Sequence, residues 1–260
     1  DMVDIANCDL FIYVGGQSEH WVDDVLEQTH NPDRVVVNLM EVLGDRVKEE
    51  EYVQGMEHTH DHEEEHDHEQ EQGHEEEHEH EDDEHIWLSL QNAEILCKEI
   101  SSQLQKLDKD NQQQYQQNTD AYLEKLNQLD EQYRQVVQNA TGNTLIFADR
   151  FPFRYLVDDY GLDYYAAFSG CSAETEASFE TVSFLASKVQ ELQVPAVLTI
   201  EGSNQKIAKT VVENAKSEGE EILTMDSLQS IGNKKIQEGV TYLSVMEQNL
   251  TVLEQALQGA

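Results

Sequence analysis

Histidines and carboxylates are concentrated in one stretch of this 260-residue chain. Residues 57–85 contain 9 of the 11 histidines and 16 acidic residues, with neither lysine nor arginine. Neutral imidazole is a good ligand for zinc, copper and nickel, and carboxylates add charge and can complete a coordination shell. The stretch therefore predicts capture of divalent cations, with the candidate ligands His58, His60, His62, His66, His68, His74, His78 and His80.

The same stretch lacks what a folded site needs. From residue 57 to residue 83 there is no aliphatic or aromatic side chain, so nothing there can bury a core. We expect a loop over 54–84 that is disordered without metal, wraps several ions and holds them with moderate affinity. The alternative interpretation is a solvated polyampholyte whose histidines matter little.

His85 is placed differently, because it stands directly before the apolar residues Ile86-Trp87-Leu88, where an ordered helix is predicted to begin. A histidine at this boundary is either a ligand on a structured element or a helix-capping side chain.

The elements that would position such a site alternate between strand and helix. In residues 1–88, β-formers at 9–14 and 35–39 flank a helical pattern at 18–28. In residues 141–260, strand patterns alternate with helical ones, which predicts a second α/β unit. Its strands are expected at 144–147, 164–168, 196–200 and 222–225, and its helices at 153–159, 179–193, 206–217 and 240–257.

Residues 89–140 carry the strongest helical periodicity in the chain, continued by a stripe of leucines and tyrosines. The polar stretch 108–111 is a plausible break with a cap, so the segment is one long helix or two consecutive helices. The predicted fold class is α/β, with two α/β lobes joined by a long rigid helix and a metal cleft between the lobes.

Composition excludes several classes of function. The formal net charge of −38 repels nucleic acid and anionic membrane surfaces and concentrates cations. Cys8, Cys97 and Cys171 are too widely spaced for a structural zinc knot and are interpreted as small buried hydrophobes. The chain carries no motif of a serine hydrolase, zinc protease or P-loop enzyme, so we predict that it is not an enzyme.

Four blocks along the chain resemble one known family. The segment Asp83 to Ser89 is similar to the D-P-H-x-W-L-S/D-P signature of the metal-specific solute-binding proteins of ABC transporters, which take up zinc or manganese. Residues 6–21, 155–162 and 240–250 resemble further blocks of that family. A His/Asp/Glu-rich loop just before the signature is typical of its zinc-specific branch.

The resemblance implies a metal site of about four ligands between the lobes. It assigns a ligand role to His85 and to Asp226, which follows the last predicted strand. The third position falls on Arg150 without a gap or on Asp149 with a one-residue shift, and only Asp149 can coordinate a cation. We expect Asp149, with Arg150 holding a carboxylate nearby.

Other interpretations of these acids stay open. Glu174 or Glu201 could replace Asp149, which would then be a loop acid paired with Arg150, and Asp226 could instead cap a helix. The first ligand is expected upstream of Asp1, in a part of the natural protein that this chain lacks, together with any export signal or lipid anchor.

The family implies an extracytoplasmic zinc receptor, a periplasmic protein or cell-surface lipoprotein, that delivers Zn²⁺ to an ABC permease. We expect it to act as a monomer without a nucleic-acid partner. Manganese is the alternative cargo, because the acid-rich third and fourth positions suit Mn²⁺. An adhesin or a metal buffer without a transporter is a further alternative. A zinc hydrolase would need a pair of helical histidines, which the sequence does not supply.

Overall fold

A computed structural model of the chain describes residues 2–29, 31–57, 81–172, 176–215 and 219–258. The strands are β1 Leu10–Tyr13, β2 Val35–Asn38, β3 Thr144–Phe151, β4 Asp163–Ser169, β5 Ala196–Ile200 and β6 Glu221–Met225. The helices are α1 Met2–Asn7, α2 Trp21–Gln28, α3 Leu39–Leu43, α4 Leu90–Leu107, α5 Gln112–Asn139, α6 Arg154–Tyr160, α7 Phe179–Leu192, α8 Lys206–Ala215, α9 Asn233–Gln237 and α10 Tyr242–Leu257. None of these described helices is long and apolar enough to cross a membrane.

The predicted α/β architecture is confirmed. In the N-terminal lobe, β1 and β2 pair in parallel. In the C-terminal lobe, four parallel strands lie in the order β4-β3-β5-β6. Successive residues of β3 alternate between two cores, because side chains along a strand point to opposite faces. Leu145 and Phe147 join a cluster with α5 and α10, whereas Ile146 and Ala148 join a cluster with α7 and α8.

The segment predicted to join the lobes consists of two helices, α4 and α5. A short 3-10 turn at Lys109–Asn111 separates α4 from α5, and the side chain of Asp108 accepts a hydrogen bond from the backbone N–H of Asn111. The two helices run side by side in opposite directions, with Ser101 Oγ 2.7 Å from Thr119 Oγ1. The far end of α5 is fixed in the C-terminal core, where buried Tyr133 donates a hydrogen bond to the carbonyl of Met246 at 2.7 Å.

The lobes share buried contacts. Met40 and Leu43 of α3 belong to one apolar cluster with Ile86, with Leu96 of α4 and with Tyr155 of α6. All five side chains are at most 7% exposed. We call this cluster the interlobe core. One of its members, Ile86, directly follows His85 in the sequence, so the cluster fixes the segment that carries His85.

The predicted loop 54–84 is ordered at both of its ends. Met56 is buried in the main core, and the backbone N–H of Glu57 donates to the carbonyl of Ala167. On the other side, Asp82 forms an antiparallel bridge with Glu49. The structured body therefore extends further into the predicted loop than hydrophobicity indicated, because backbone pairing does not require apolar side chains.

The three cysteines form no disulfide. Cys8 and Cys97 are half-buried, but Cys171 is exposed, so its interpretation as a buried hydrophobe is wrong. Cys171 lies in the turn that follows β4, which leaves its side chain at the protein surface.

Candidate metal centre

His85 lies at the carboxyl edge of the C-terminal sheet. Its ring packs against Gly170, the residue that follows β4, and is only 2% exposed. A Cβ atom at Gly170 would come within 3.0 Å of the ring carbon Cε1 and of the carbonyl of Phe151. Glycine at this position therefore makes room for the imidazole. Ligand sites of parallel sheets are found at this edge, beyond the carboxyl ends of the strands.

Asp83 sets the protonation pattern of the ring. Its Oδ1 lies 2.9 Å from Nδ1 of His85 and accepts the backbone N–H of the same residue at 2.8 Å. An ionised carboxylate can only accept hydrogen bonds, so Nδ1 carries the proton and the lone pair of a neutral imidazole is left on Nε2. A carboxylate that orients a histidine in this way is the usual support of a metal-binding imidazole.

Two tyrosines hold the backbone on either side of His85. The hydroxyl of Tyr155 donates to the carbonyl of Asp83 at 2.7 Å, and the hydroxyl of Tyr242 donates to the carbonyl of Trp87 at 2.8 Å. Burial raises the pKa of both phenols well above the ordinary value. Both groups therefore stay protonated and keep donating across the whole physiological pH range.

Nε2 of His85 faces a side chain that the sequence analysis did not single out. The amide nitrogen Nε2 of Gln229 lies 2.5 Å from it. Gln229 belongs to the turn after β6, which also accepts a hydrogen bond from the indole N–H of Trp87 through the carbonyl of Ser227 at 3.0 Å. The only sequence signal for Gln229 is its place three residues after Asp226.

Asp226 begins this turn. Its Oδ1 accepts the backbone N–H of Leu228 at 2.8 Å, and its Oδ2 lies 3.3 Å from Nζ of Lys235. Buried Asn249 of α10 bonds to both the N–H and the carbonyl of Asp226, each at 2.8 Å. The carboxylate therefore closes a local turn. Asp226 does not cap a helix, since the next helix begins only at Asn233.

Glu201 follows β5 and supports the same turn. Its Oε2 accepts the backbone N–H of Ser227 and its Oε1 accepts the hydroxyl, each at 2.7 Å. Ser227 is completely buried. Glu201 is therefore engaged as a structural acceptor, with both carboxylate oxygens bonded.

Asp149 lies inside β3, which continues beyond the predicted strand at 144–147. The register of β3 against β4 shifts between Phe147 and Arg150, so the strand is irregular at this acid. Its Oδ1 accepts the backbone N–H of Arg150 at 2.9 Å, and its Oδ2 lies 3.4 Å from the backbone N–H of Ile200. The carboxylate thus meets the backbone of Arg150, and the alternative of a loop acid does not apply.

The described residues contain no group of three or more histidine, cysteine or acidic side chains close enough together to hold a metal ion. His85, Asp149 and Asp226 all lie near the carboxyl edge of one sheet, but in the structure each has its own hydrogen-bond partners. The predicted ligands at His58, His60, His62, His66, His68, His74, His78 and His80, and the alternative Glu174, fall outside the described residues.

Comparison with known proteins identifies relatives along the whole chain. A family model described as "Zinc-uptake complex component A periplasmic" matches residues 1–256. The high-affinity zinc uptake system protein ZnuA of Bacillus subtilis is 30% identical over 257 residues, which cover 99% of this chain and 74% of that protein. The zinc-binding lipoprotein AdcA of Streptococcus pneumoniae is 31% identical over 96% of this chain, which spans 46% of AdcA, about half its length.

Solved structures of zinc- or metal-dependent proteins are also similar to this chain. The metal-dependent lipoprotein YcdH from Bacillus subtilis superposes with a TM-score of 0.74 at 26% identity, over 99% of this chain and 83% of that one. Zn(II)-bound AdcA from Streptococcus pneumoniae gives a TM-score of 0.71 at 25% identity, over the whole of this chain and 49% of AdcA.

Proposed function

Because this chain belongs to the family of the periplasmic zinc-uptake complex component A, we propose that it is an extracytoplasmic receptor that captures Zn²⁺ and delivers it to the permease of an ABC transporter. The function is binding followed by release, without bond chemistry. The chain would reside in the periplasm or at the cell surface as a lipoprotein, and would act as a monomer. Its net charge of −38 argues against a nucleic-acid partner.

The observation that carries the proposal is the pair formed by Asp83 and His85. A buried carboxylate fixes the proton on Nδ1, so Nε2 keeps the lone pair that a cation requires. A histidine whose only task was to fill the core would not need a buried carboxylate at 2.9 Å, because burying a charge costs free energy.

We assign the remaining ligand roles to Asp226 and Asp149, with Glu201 as the alternative to Asp149. Each carboxylate lies at the sheet edge that His85 faces, and each would exchange a backbone or lysine partner for the cation. Such an exchange is electrostatically favourable, since a divalent cation attracts a carboxylate more strongly than a single N–H donor does. The histidines of residues 58–80 would bind further zinc ions with lower affinity.

Zinc titration of the full chain tests the proposal. The variant His85→Ala should weaken the tightest site by about a hundredfold, because one of about four ligands is lost. The matched control His20→Ala removes an exposed histidine and should leave that site unchanged. Tight binding by His85→Ala equal to that of the unmodified chain would contradict the proposal.

A deletion separates the tight site from the weaker ones. Removing residues 58–80 keeps Asp83 and the backbone bridge between Glu49 and Asp82. This variant should lose the weaker zinc ions and keep the tight one. Loss of tight binding would mean that the histidine-rich segment itself is the principal site.

Manganese is the second candidate cargo, because carboxylates outnumber imidazoles among the assigned ligands and oxygen ligands suit Mn²⁺. Titrating the 58–80 deletion with each metal would decide between them, and we expect zinc to bind more tightly. The transport role is tested in cells that lack the gene. The unmodified chain should restore growth under zinc chelation and His85→Ala should not, whereas an adhesin or a simple metal buffer would restore neither zinc uptake nor growth.

A further inference from the structure

Gln229 occupies the ring nitrogen that a cation would need. In a neutral imidazole whose Nδ1 donates to Asp83, Nε2 can only accept a hydrogen bond. At 2.5 Å the amide N–H of Gln229 is therefore the donor and the imidazole lone pair is its acceptor. A cation can bind Nε2 only after this amide has moved away.

The turn that carries Gln229 is held in a strained conformation. Leu228 has a φ of 64°, in the left-handed region that is unfavourable for a side chain of its kind. The strain is maintained from both sides, since Asp226 accepts the N–H of Leu228 and Glu201 holds buried Ser227 through two bonds. The acids that hold the turn are thus themselves assigned or alternative metal ligands.

An open cavity next to Gln229 can accommodate its side chain after displacement. Trp87, Leu228, Gln229 and Tyr242 line an open cavity of about 510 Å³ directly beside the His85 contact. Apart from the amide, its walls are mostly aromatic and aliphatic. The amide can therefore leave the imidazole without rearranging the core.

We propose that Gln229 is a displaceable latch on Nε2 of His85, which competes with the incoming cation and so lowers affinity and speeds release. A neutral amide nitrogen suits this role because it satisfies the lone pair without coordinating a metal. When Asp226 or Glu201 turns to a cation, the strained turn loses a support and Gln229 is freed. This inference rests on the proposed function, since it requires His85 to be a metal ligand.

Zinc titration of Gln229→Ala and Gln229→Leu in the full chain tests the latch. Each variant removes one net hydrogen bond from the metal-free state, so its zinc dissociation constant should fall by about twofold to twelvefold. Transfer of zinc to a chelator should slow correspondingly. The control Gln114→Ala changes an exposed glutamine of α5 and should have no effect. Weaker binding by the Gln229 variants would instead make the amide oxygen a ligand, and equal binding would show that the contact has no energetic role. Either result overturns the latch.

A second measurement tests the contact without zinc. In the metal-free chain labelled with ¹⁵N-histidine, Gln229→Ala should shift the Nε2 resonance of His85 while its Nδ1 resonance stays, because only one of its two hydrogen bonds is lost. An unchanged Nε2 resonance would overturn the latch. Failure of the proposed function is recognised separately, since His85→Ala would then bind zinc as tightly as the unmodified chain.

Discussion

Replacing Asp83 with asparagine should weaken zinc binding about tenfold and leave the fold intact. Oδ1 of Asp83 accepts two hydrogen bonds from His85, at 2.8 Å and 2.9 Å. Asparagine keeps an acceptor oxygen of the same shape but loses the charge. A hydrogen bond to a charged group contributes about 1.5–3 kcal/mol, against about 0.5–1.5 kcal/mol for a neutral one. For the bond to the ring N–H alone, the difference between a charged and a neutral acceptor is about 1–1.5 kcal/mol. This difference corresponds to about a tenfold change in affinity, within the range for residues that orient metal-binding histidines.

Alanine at position 83 should lower the free energy of unfolding more than asparagine does, because both donors of His85 would be left without a partner in a buried site. Each such group costs about 1–3 kcal/mol, so we expect a loss of about 2–6 kcal/mol in the free energy of unfolding. Urea denaturation of the metal-free variants would measure this loss. Asparagine should cost much less than alanine, which separates the effect on zinc from the effect on the fold.

The zinc affinities should be measured by competition with a chromogenic chelator. Asp82→Asn is the matched control, since Asp82 is exposed and bridges to Glu49 through its backbone. If Asp83→Asn bound zinc within twofold of this control, the carboxylate would have no role in preparing the imidazole. The assignment of the lone pair to Nε2 would then lose its basis.

Three further predictions concern the supports of the site and the core. Asn249→Ala removes both bonds to the backbone of Asp226 and should cost about 2–4 kcal/mol in urea denaturation, with weaker zinc binding in titration. Tyr133→Phe removes the hydrogen bond from the phenol to the carbonyl of Met246, which keeps its backbone partner within α10, and should cost about 0.5–1.5 kcal/mol in the same assay, without a change in zinc affinity. Burial raises the pKa of Asp159, so its favourable contribution is present below the unfolded pKa of about 3.9 and is lost as the pH rises through the folded value. Asp159→Asn should therefore raise stability at pH 7, and its advantage should vanish near pH 3 in urea denaturation across this pH range.

Regular elements could be predicted from sequence because their periodicity reflects burial directly. Residues 108–111 left one long helix or two consecutive helices open, and the structure has two, with Asp108 capping the turn between them. The antiparallel packing of the two helices could not be predicted, since it depends on contacts such as Ser101 with Thr119 that join distant positions.

The site was only partly predictable for a related reason. His85 was identified as a ligand, whereas Asp83 appeared only as the first residue of the signature and received no role, because composition does not distinguish a buried carboxylate from its exposed neighbours. Asp149 was expected beyond the strand, because the run of bulky apolar residues ends at Phe147, yet β3 continues through an irregular register to Phe151. Gln229 carries no signal in the sequence beyond its place three residues after Asp226, since its importance comes from the position of its amide opposite the imidazole.

The interlobe core has a consequence for the heat of binding. A receptor that closes around its cargo by rotating two lobes buries new apolar surface, and its heat capacity falls on binding. Here Met40 and Leu43 pack against Ile86 and Tyr155 in a closed apolar cluster. Zinc can then enter and leave by movement of side chains and of the turn after β6, without rotation of one lobe against the other. Capture of zinc should accordingly leave the heat capacity of this protein almost unchanged.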